Sequence, residues 1–151
     1  MIVVAYHAAF TTLVGRLRDR FDFPLIATGL VVKSAASVSK SKIITVLATL
    51  TTLKSARYAE LKAMYASNLT VNEHECSEWS FLTESNTITR AIIAEEILPS
   101  ITVGSDVVVL SRTHNRWIEP EIQEIVGKNV MALQPEQAPV AQLTRVILRF
   151  A

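Results

Sequence analysis

Near the amino terminus Val3, Tyr6, Phe10, Leu13, Leu17 and Phe21 recur at three- and four-residue steps. That spacing puts them on one face of an α-helix, with Arg16, Asp19 and Arg20 largely on the other. Pro24 ends it, because the residue before a proline is pushed out of the α region. Residues 23–33 are apolar or β-branched, broken only at Gly29, and predict a strand. The Ser- and Ala-rich stretch 34–42, held between lysines, predicts a flexible basic hairpin loop. Residues 43–53 suit a strand by their β-branched content, or a helix through Leu47, Leu50 and Lys54; the strand is preferred. Ser55 then caps a helix running to Ser67, with Tyr58, Leu61 and Tyr65 on one face and Asn68 as its stop.

The second half predicts shorter elements. Residues 70–82 look acidic and irregular, with a short strand at 79–82. Asn86 is placed to cap a helix over 87–98 that stops at Pro99. Glu95 and Glu96 would then sit at its carboxyl end, where acids are unfavourable and a basic neighbour is expected. Gly104-Ser105-Asp106 forms a turn into a strand at 107–110. Ile118, Ile122 and Ile125 alternate with charges over 117–125, and Pro120 makes that segment an edge or broken strand. Gly127-Lys128-Asn129 turns into a strand at 130–133, and 143–150 reads as the last strand. The sum is an α+β fold: an N-terminal amphipathic helix, a mainly antiparallel sheet or small barrel, and two further helices. No internal repeat is visible.

The 151 residues predict one domain over 1–151, a helix-rich basic part at 1–70 and an acidic, β-rich part at 71–151. Half the residues are hydrophobic, mean hydropathy is +0.31 and only 19% are charged. Such a chain has a rich core or covers apolar surface with a partner; the partner is preferred. The apolar stretches 25–32 and 43–50 are too short to cross a bilayer, so no membrane partner is expected. The first apolar run precedes the arginines, which is not the order of a signal peptide. Cys76 is the sole cysteine, which fits a reducing, intracellular setting and makes the Asn68-Leu69-Thr70 sequon incidental.

Net charge conceals a split. Residues 1–70 carry nine basic and three acidic groups, a balance of +6; residues 71–151 carry six and eleven, a balance of −5. The two halves could form complementary faces for head-to-tail association, or face a nucleic acid, or intermix in the fold so that the field cancels.

Candidate chemistry is sparse. His7, His74 and His114 are scattered, and His74-Glu75-Cys76 lacks the second cluster a zinc site needs. Cys76 as a nucleophile would need a histidine such as His114 brought beside it by the fold. The four glycines stand alone, which excludes a glycine-rich phosphate loop. Arg112-Thr113-His114-Asn115-Arg116-Trp117 is the densest polar cluster, able to grip phosphate or stack a base, though a solvated turn is the commoner outcome. Lys33, Lys40 and Lys42 are open to the same two readings. No catalytic, metal-binding or cofactor-binding residue is assigned, and no cofactor is expected.

The order of amphipathic helix, Phe23-Pro24-Leu25-Ile26 opening a strand, second strand, helix, and a terminal strand ending Val146-Ile147-Leu148-Arg149-Phe150 resembles the tail-terminator and tail-completion proteins of tailed phages. The likeness covers mainly residues 1–68 and the last strand. It implies a non-enzymatic ring subunit in a virion or in the cytoplasm of a host cell. The expectation is therefore a structural subunit of a homo-oligomer. Arg16, Arg20, Lys33, Lys40, Lys42, Arg112 and Arg116 would make its self-association or phosphate contacts. Two alternatives stand beside it: a nucleic-acid-binding module using the basic loops, and a small enzyme uniting His74 or His114 with Cys76 and a carboxylate.

Overall fold

The computed structural model describes residues 2–4, 13–27, 31–111, 117–134 and 137–150. Along these the chain alternates short strands with helices: β1 (Ile2–Val4), α1 (Val14–Arg20), β2 (Leu25–Ala27), α2 (Val32–Val38), β3 (Ile43–Ala48), α3 (Leu50–Leu53), α4 (Ala56–Tyr65), β4 (Thr70–Glu75), α5 (Glu78–Glu84), α6 (Arg90–Thr102), β5 (Val107–Leu110), α7 (Glu119–Val126), β6 (Met131–Leu133) and α8 (Gln137–Phe150). The strands form a two-stranded sheet, β1-β2, and a four-stranded sheet in the order β4-β3-β5-β6.

Every described pairing is parallel, so the expected antiparallel sheet or barrel is not what forms. The cause lies in β3 and β5. Both are apolar on successive residues and buried on both faces, as a strand is when helices cover the sheet on either side. One face presents Ile44, Val46, Ala48, Val107 and Val109 to Val32 and Ala35 of α2 and to Tyr58 and Leu61 of α4. The other presents Leu47, Val108 and Leu110 to Trp79 of α5, Ile93 and Ile97 of α6, and Ile122 of α7. Parallel neighbours cannot be joined by a tight turn; each needs a crossover, and the helices between the strands supply it.

Several local expectations change for the same reason. Val3 does not lie on a helix; it pairs with Ile26 in β1-β2, and only Val14–Arg20 of the expected 3–21 helix is helical among the described residues. Residues 5–12, with Tyr6, His7 and Phe10, lie outside them. The 23–33 strand shortens to β2. The expected basic loop at 34–42 is instead largely α2, because Val32 and Ala35 are fully buried against the sheet at helical spacing. The irregular 70–82 stretch holds β4 and then α5 rather than a strand at 79–82. Segment 117–125 is helix α7: Ile118, Ile122 and Val126 repeat every four residues, and Pro120 sits in the first turn, where its missing N–H costs nothing. Segment 143–150 belongs to helix α8. Helix α6 begins at the cap Thr89, whose hydroxyl accepts from the Ile92 N–H at 3.3 Å, and runs through Pro99 to Thr102. Glu95 and Glu96 are therefore mid-helix, and no cation is required at a helix end there. The Ser55 cap forms as expected, its hydroxyl accepting from the Tyr58 N–H at 3.2 Å.

The two charged halves interleave within the sheet. Strand β3 from the basic half lies between β4 and β5 from the acidic half. Lys62 pairs with Glu73 across that division at 2.5 Å, and the Tyr58 hydroxyl donates to the same carboxylate at 3.0 Å. Burial first, then the Glu73 charge and hydrogen bond, push the Tyr58 phenol above its ordinary range, so it stays a donor.

Asp106 fastens the amino edge. Its carboxylate accepts from the Ser39 hydroxyl at 2.7 Å and from the Lys40 and Ser41 N–H groups at 2.6 and 2.9 Å. These tie the turn before β3, where Lys42 holds a positive φ of 63°, to the start of β5. Partial burial alone would raise the carboxyl; the hydrogen bonds outweigh it and bring it down to about 2 from 3.8. A depressed folded-state value stabilises the fold above the unfolded pKa and is lost as pH falls through the folded one. Asp106→Asn should therefore destabilise the protein at neutral pH and flatten the decline between about pH 4 and pH 2, as read by denaturant melts across that window. Leu47→Ala, which empties a fully buried position on β3, should cost about 2–5 kcal/mol in the same melts.

Candidate functional site

Strand order dictates where a ligand fits. From β3 the chain passes through α3 and α4 to β4 on one side of β3, and later returns to β5 on its other side. The helices that follow β3 cover one face of the sheet, while α7, which follows β5, covers the opposite face. The connections therefore part at the carboxyl ends of β3 and β5. In open parallel sheets such a reversal leaves a crevice, and ligands bind there.

The described residues around this crevice are rich in hydroxyls. Thr49 follows β3 and caps α3, its Oγ1 accepting from the Thr52 N–H at 3.2 Å and donating to Thr52 Oγ1 at 3.1 Å. Thr52 is buried, and its carbonyl accepts from the Ser55 hydroxyl at 2.8 Å. On the neighbouring strands, the Ser111 N–H donates to Leu47 O and the Cys76 N–H to Ala48 O, both at 3.0 Å. These bonds lock the ends of β5 and β4 to the end of β3. Glu75 closes the β4 side by accepting from the Ser77 N–H at 2.6 Å. After Ser111 the sequence continues Arg112-Thr113-His114-Asn115-Arg116. Hydroxyls of this kind bind a carboxylate or an ammonium group; they do not by themselves remove a proton from carbon.

Elsewhere the structure disperses what the sequence suggested. Arg16 and Arg20 are exposed on α1, Lys33 is exposed on α2 with its ammonium 5.2 Å from the centre of the Tyr65 ring, and Lys40 and Lys42 lie in the turn before β3. They occupy three separate elements. Arg112 and Arg116 lie outside the described residues, as does His114. His74 hydrogen-bonds Ser100 of α6 beneath that helix, and Cys76 is buried in the apolar cluster with Trp79. Among the described residues no three His, Cys, Asp or Glu side chains gather as metal ligands. A hollow of about 440 Å³ at the opposite, amino edge is lined by Lys40, Asp106 and Lys128 among others, but its carboxylate is already committed to the turn before β3.

Thr49, Thr52 and Ser111 were not singled out in the sequence. The available signal was an apolar run ending in Thr49-Leu50-Thr51-Thr52-Leu53, a capping hydroxyl three residues before its partner at a strand-to-helix junction.

No family model matches the chain. Among curated proteins it is similar to the glutamate racemase of Pseudomonas aeruginosa strain PAO1, with 30% identity over 151 residues, covering 97% of this chain and 57% of the relative. Among solved structures it is similar to a glutamate racemase isoform from Bacillus anthracis, with TM-score 0.83, 18% identity, and coverage of 99% of this chain and 59% of the other. It is also similar to the glutamate racemase of Francisella tularensis solved in complex with D-glutamate, with TM-score 0.78, 18% identity, and coverage of 98% and 56%. The fold is thus that of a glutamate racemase domain, and the chain spans a little over half the length of the relatives it matches.

These findings overturn the likeness to phage tail-terminator and tail-completion proteins, and with it the virion ring subunit. Residues 146–150, which were to form its terminal strand, are helical, and the sheet is parallel. They also correct the expectation of a chain without catalysis, since relatives aligned over nearly all of it are named for an enzymatic activity. Among the described residues no helix is long and apolar enough to cross a membrane.

Removing the cap at the crevice should be felt locally. Thr49→Ala is expected to cost about 1 kcal/mol in denaturant melts, with faster amide exchange confined to α3 and the start of α4.

Proposed function

We propose that this chain acts on glutamate as an amino-acid isomerase, with the crevice at the carboxyl ends of β3 and β5 as the substrate cradle. The observation that carries the reading is the alignment, at about 30% identity over 97% of the chain, with proteins named glutamate racemase. The shared fold and the hydroxyl-lined crevice at its strand reversal support it. Because the relatives are longer, their activity and substrate are carried over as a proposal.

Inverting a Cα centre breaks the Cα–H bond on one face and forms a new one on the other. It needs an acid–base group on each side, positioned within hydrogen-bond reach. On the described side of the crevice, the half-buried hydroxyl of Thr49 after β3 offers a binding group. Among side chains able to carry a proton, His114 lies three residues beyond Ser111 in sequence. We place this activity in the cytoplasm, where the single thiol of Cys76 stays reduced.

The test incubates the protein with L- and with D-glutamate in D₂O and follows both Cα deuteration by NMR and binding by calorimetry. Binding of glutamate with deuterium entering Cα of either enantiomer is expected. Binding without exchange would keep glutamate as ligand and remove the isomerase. Neither binding nor exchange would overturn the reading.

A further inference from the structure

Six polar residues are buried among the described ones: Ser39, Thr45, Thr52, Ser100, Ser105 and Ser111. Five have partnered hydroxyls. Ser39 donates to Asp106, Thr45 to Ser105 at 2.9 Å, and Ser105 to Val107 O at 3.1 Å. Thr52 bonds Thr49, and Ser100 bonds His74. The Ser111 hydroxyl, on a residue only 1% exposed, has no partner. Folded proteins rarely leave a buried hydroxyl unpaired, because it forfeits its bonds to water and gains none in return; each exception calls for a reason.

Position supplies one. Among the described residues two other buried side-chain polar atoms lack a partner, Asn72 Nδ2 and Ser80 Oγ. Asn72 is the third residue of β4 and Ser80 the third of α5, both away from the strand reversal. Ser111 is the first residue after β5, held at the carboxyl edge by its N–H bond to Leu47 O, where a parallel sheet of this order takes its ligand. A serine hydroxyl can donate one hydrogen bond, and the ligand of the proposed function carries two carboxylates.

We infer that Ser111 is a substrate-binding residue whose hydroxyl, unpaired within the fold, donates to a glutamate carboxylate in the crevice. The inference rests on the proposed function and adds a named contact to it. It carries an unusual signature. Ser111→Ala deletes a group that makes no bond within the fold, so stability should hold or rise while binding falls.

The experiment measures the Kd for L-glutamate by calorimetry and the ligand-free Tm for wild type, Ser111→Ala and Ser111→Thr. A bond from a neutral hydroxyl to a carboxylate predicts about tenfold weaker binding in Ser111→Ala, with Tm unchanged or higher and affinity restored in Ser111→Thr. If wild type binds and Ser111→Ala binds within twofold of it, the inference is overturned and the glutamate reading stands. A lowered Tm with affinity lost in both variants would make Ser111 a packing residue and likewise overturn it. Wild type that does not bind glutamate at all removes both.

Discussion

The parallel pairing of β3 with strands on both sides is the constraint from which the rest of the structure follows. A strand buried on both faces has no water to satisfy its backbone, so every peptide group of Ile43–Ala48 must find a partner in a neighbouring strand. Its side chains must likewise be covered from above and below. Once β4 and β5 take those two places in parallel, the chain has to cross back over the sheet each time, and helices are the economical way to do so. The two apolar clusters, the placement of α4 and α6 on opposite faces, and the crevice where the connections part are all consequences of that central pairing.

The two edges of the sheet serve different ends. At the amino edge the polar groups are committed: Asp106 draws together Ser39, Lys40 and Ser41, and Thr45, Ser105 and Val107 form a closed relay. At the carboxyl edge the backbone is equally well anchored, but the Ser111 hydroxyl is left unpaired. A fold that satisfies its polar groups where strands begin and withholds satisfaction where they end concentrates its binding potential on one side. Local frustration of this kind is tolerated where the surrounding core supplies stability, and the fully buried residues of β3 and β5 provide it.

Much of the secondary structure was legible in the residues, and the sheet direction was legible in principle. Strand β3, the Ser55-capped helix and strand β5 follow directly from β-branched runs and a capping serine. The direction was carried by Ile43–Ala48 and Val107–Leu110 themselves, which show no polar alternation and hence no wet face; a half-exposed antiparallel strand would have shown one. The failures came where two periods coexist. In 117–125 the charges between isoleucines mimic alternation, yet Ile118, Ile122 and Val126 are spaced for a helix, and Pro120 marks a helix start. In 143–150, Leu143, Val146, Ile147 and Phe150 carry the three-and-four spacing beneath an apparent strand pattern. Pro99 suggests a stop, but Ile97 on one side of it and Ser100 on the other are both buried, and the helix runs through it.

The site was less legible for a physical reason. The chemistry of the crevice is not a motif but a juxtaposition: residues 49–52 and 111 are about sixty positions apart and come to the same edge of the sheet only because β3 and β5 are neighbours. None is unusual in type. Thr49 reads as an ordinary cap, and Ser111 as an ordinary residue after a strand. What distinguishes Ser111 is an unmade bond, a property that exists only once the fold has excluded water from the hydroxyl. Topology also decides what the charge asymmetry of the chain becomes. Strand β3 lies between strands that belong largely to the other half, and Lys62 and Glu73 meet across that division. The covering helices stay apart: α2 and α4 of the basic half pack on one face of the sheet, and α5, α6 and α7 of the acidic half on the other, so the linear asymmetry is mixed within the sheet and kept apart in the layers that cover it.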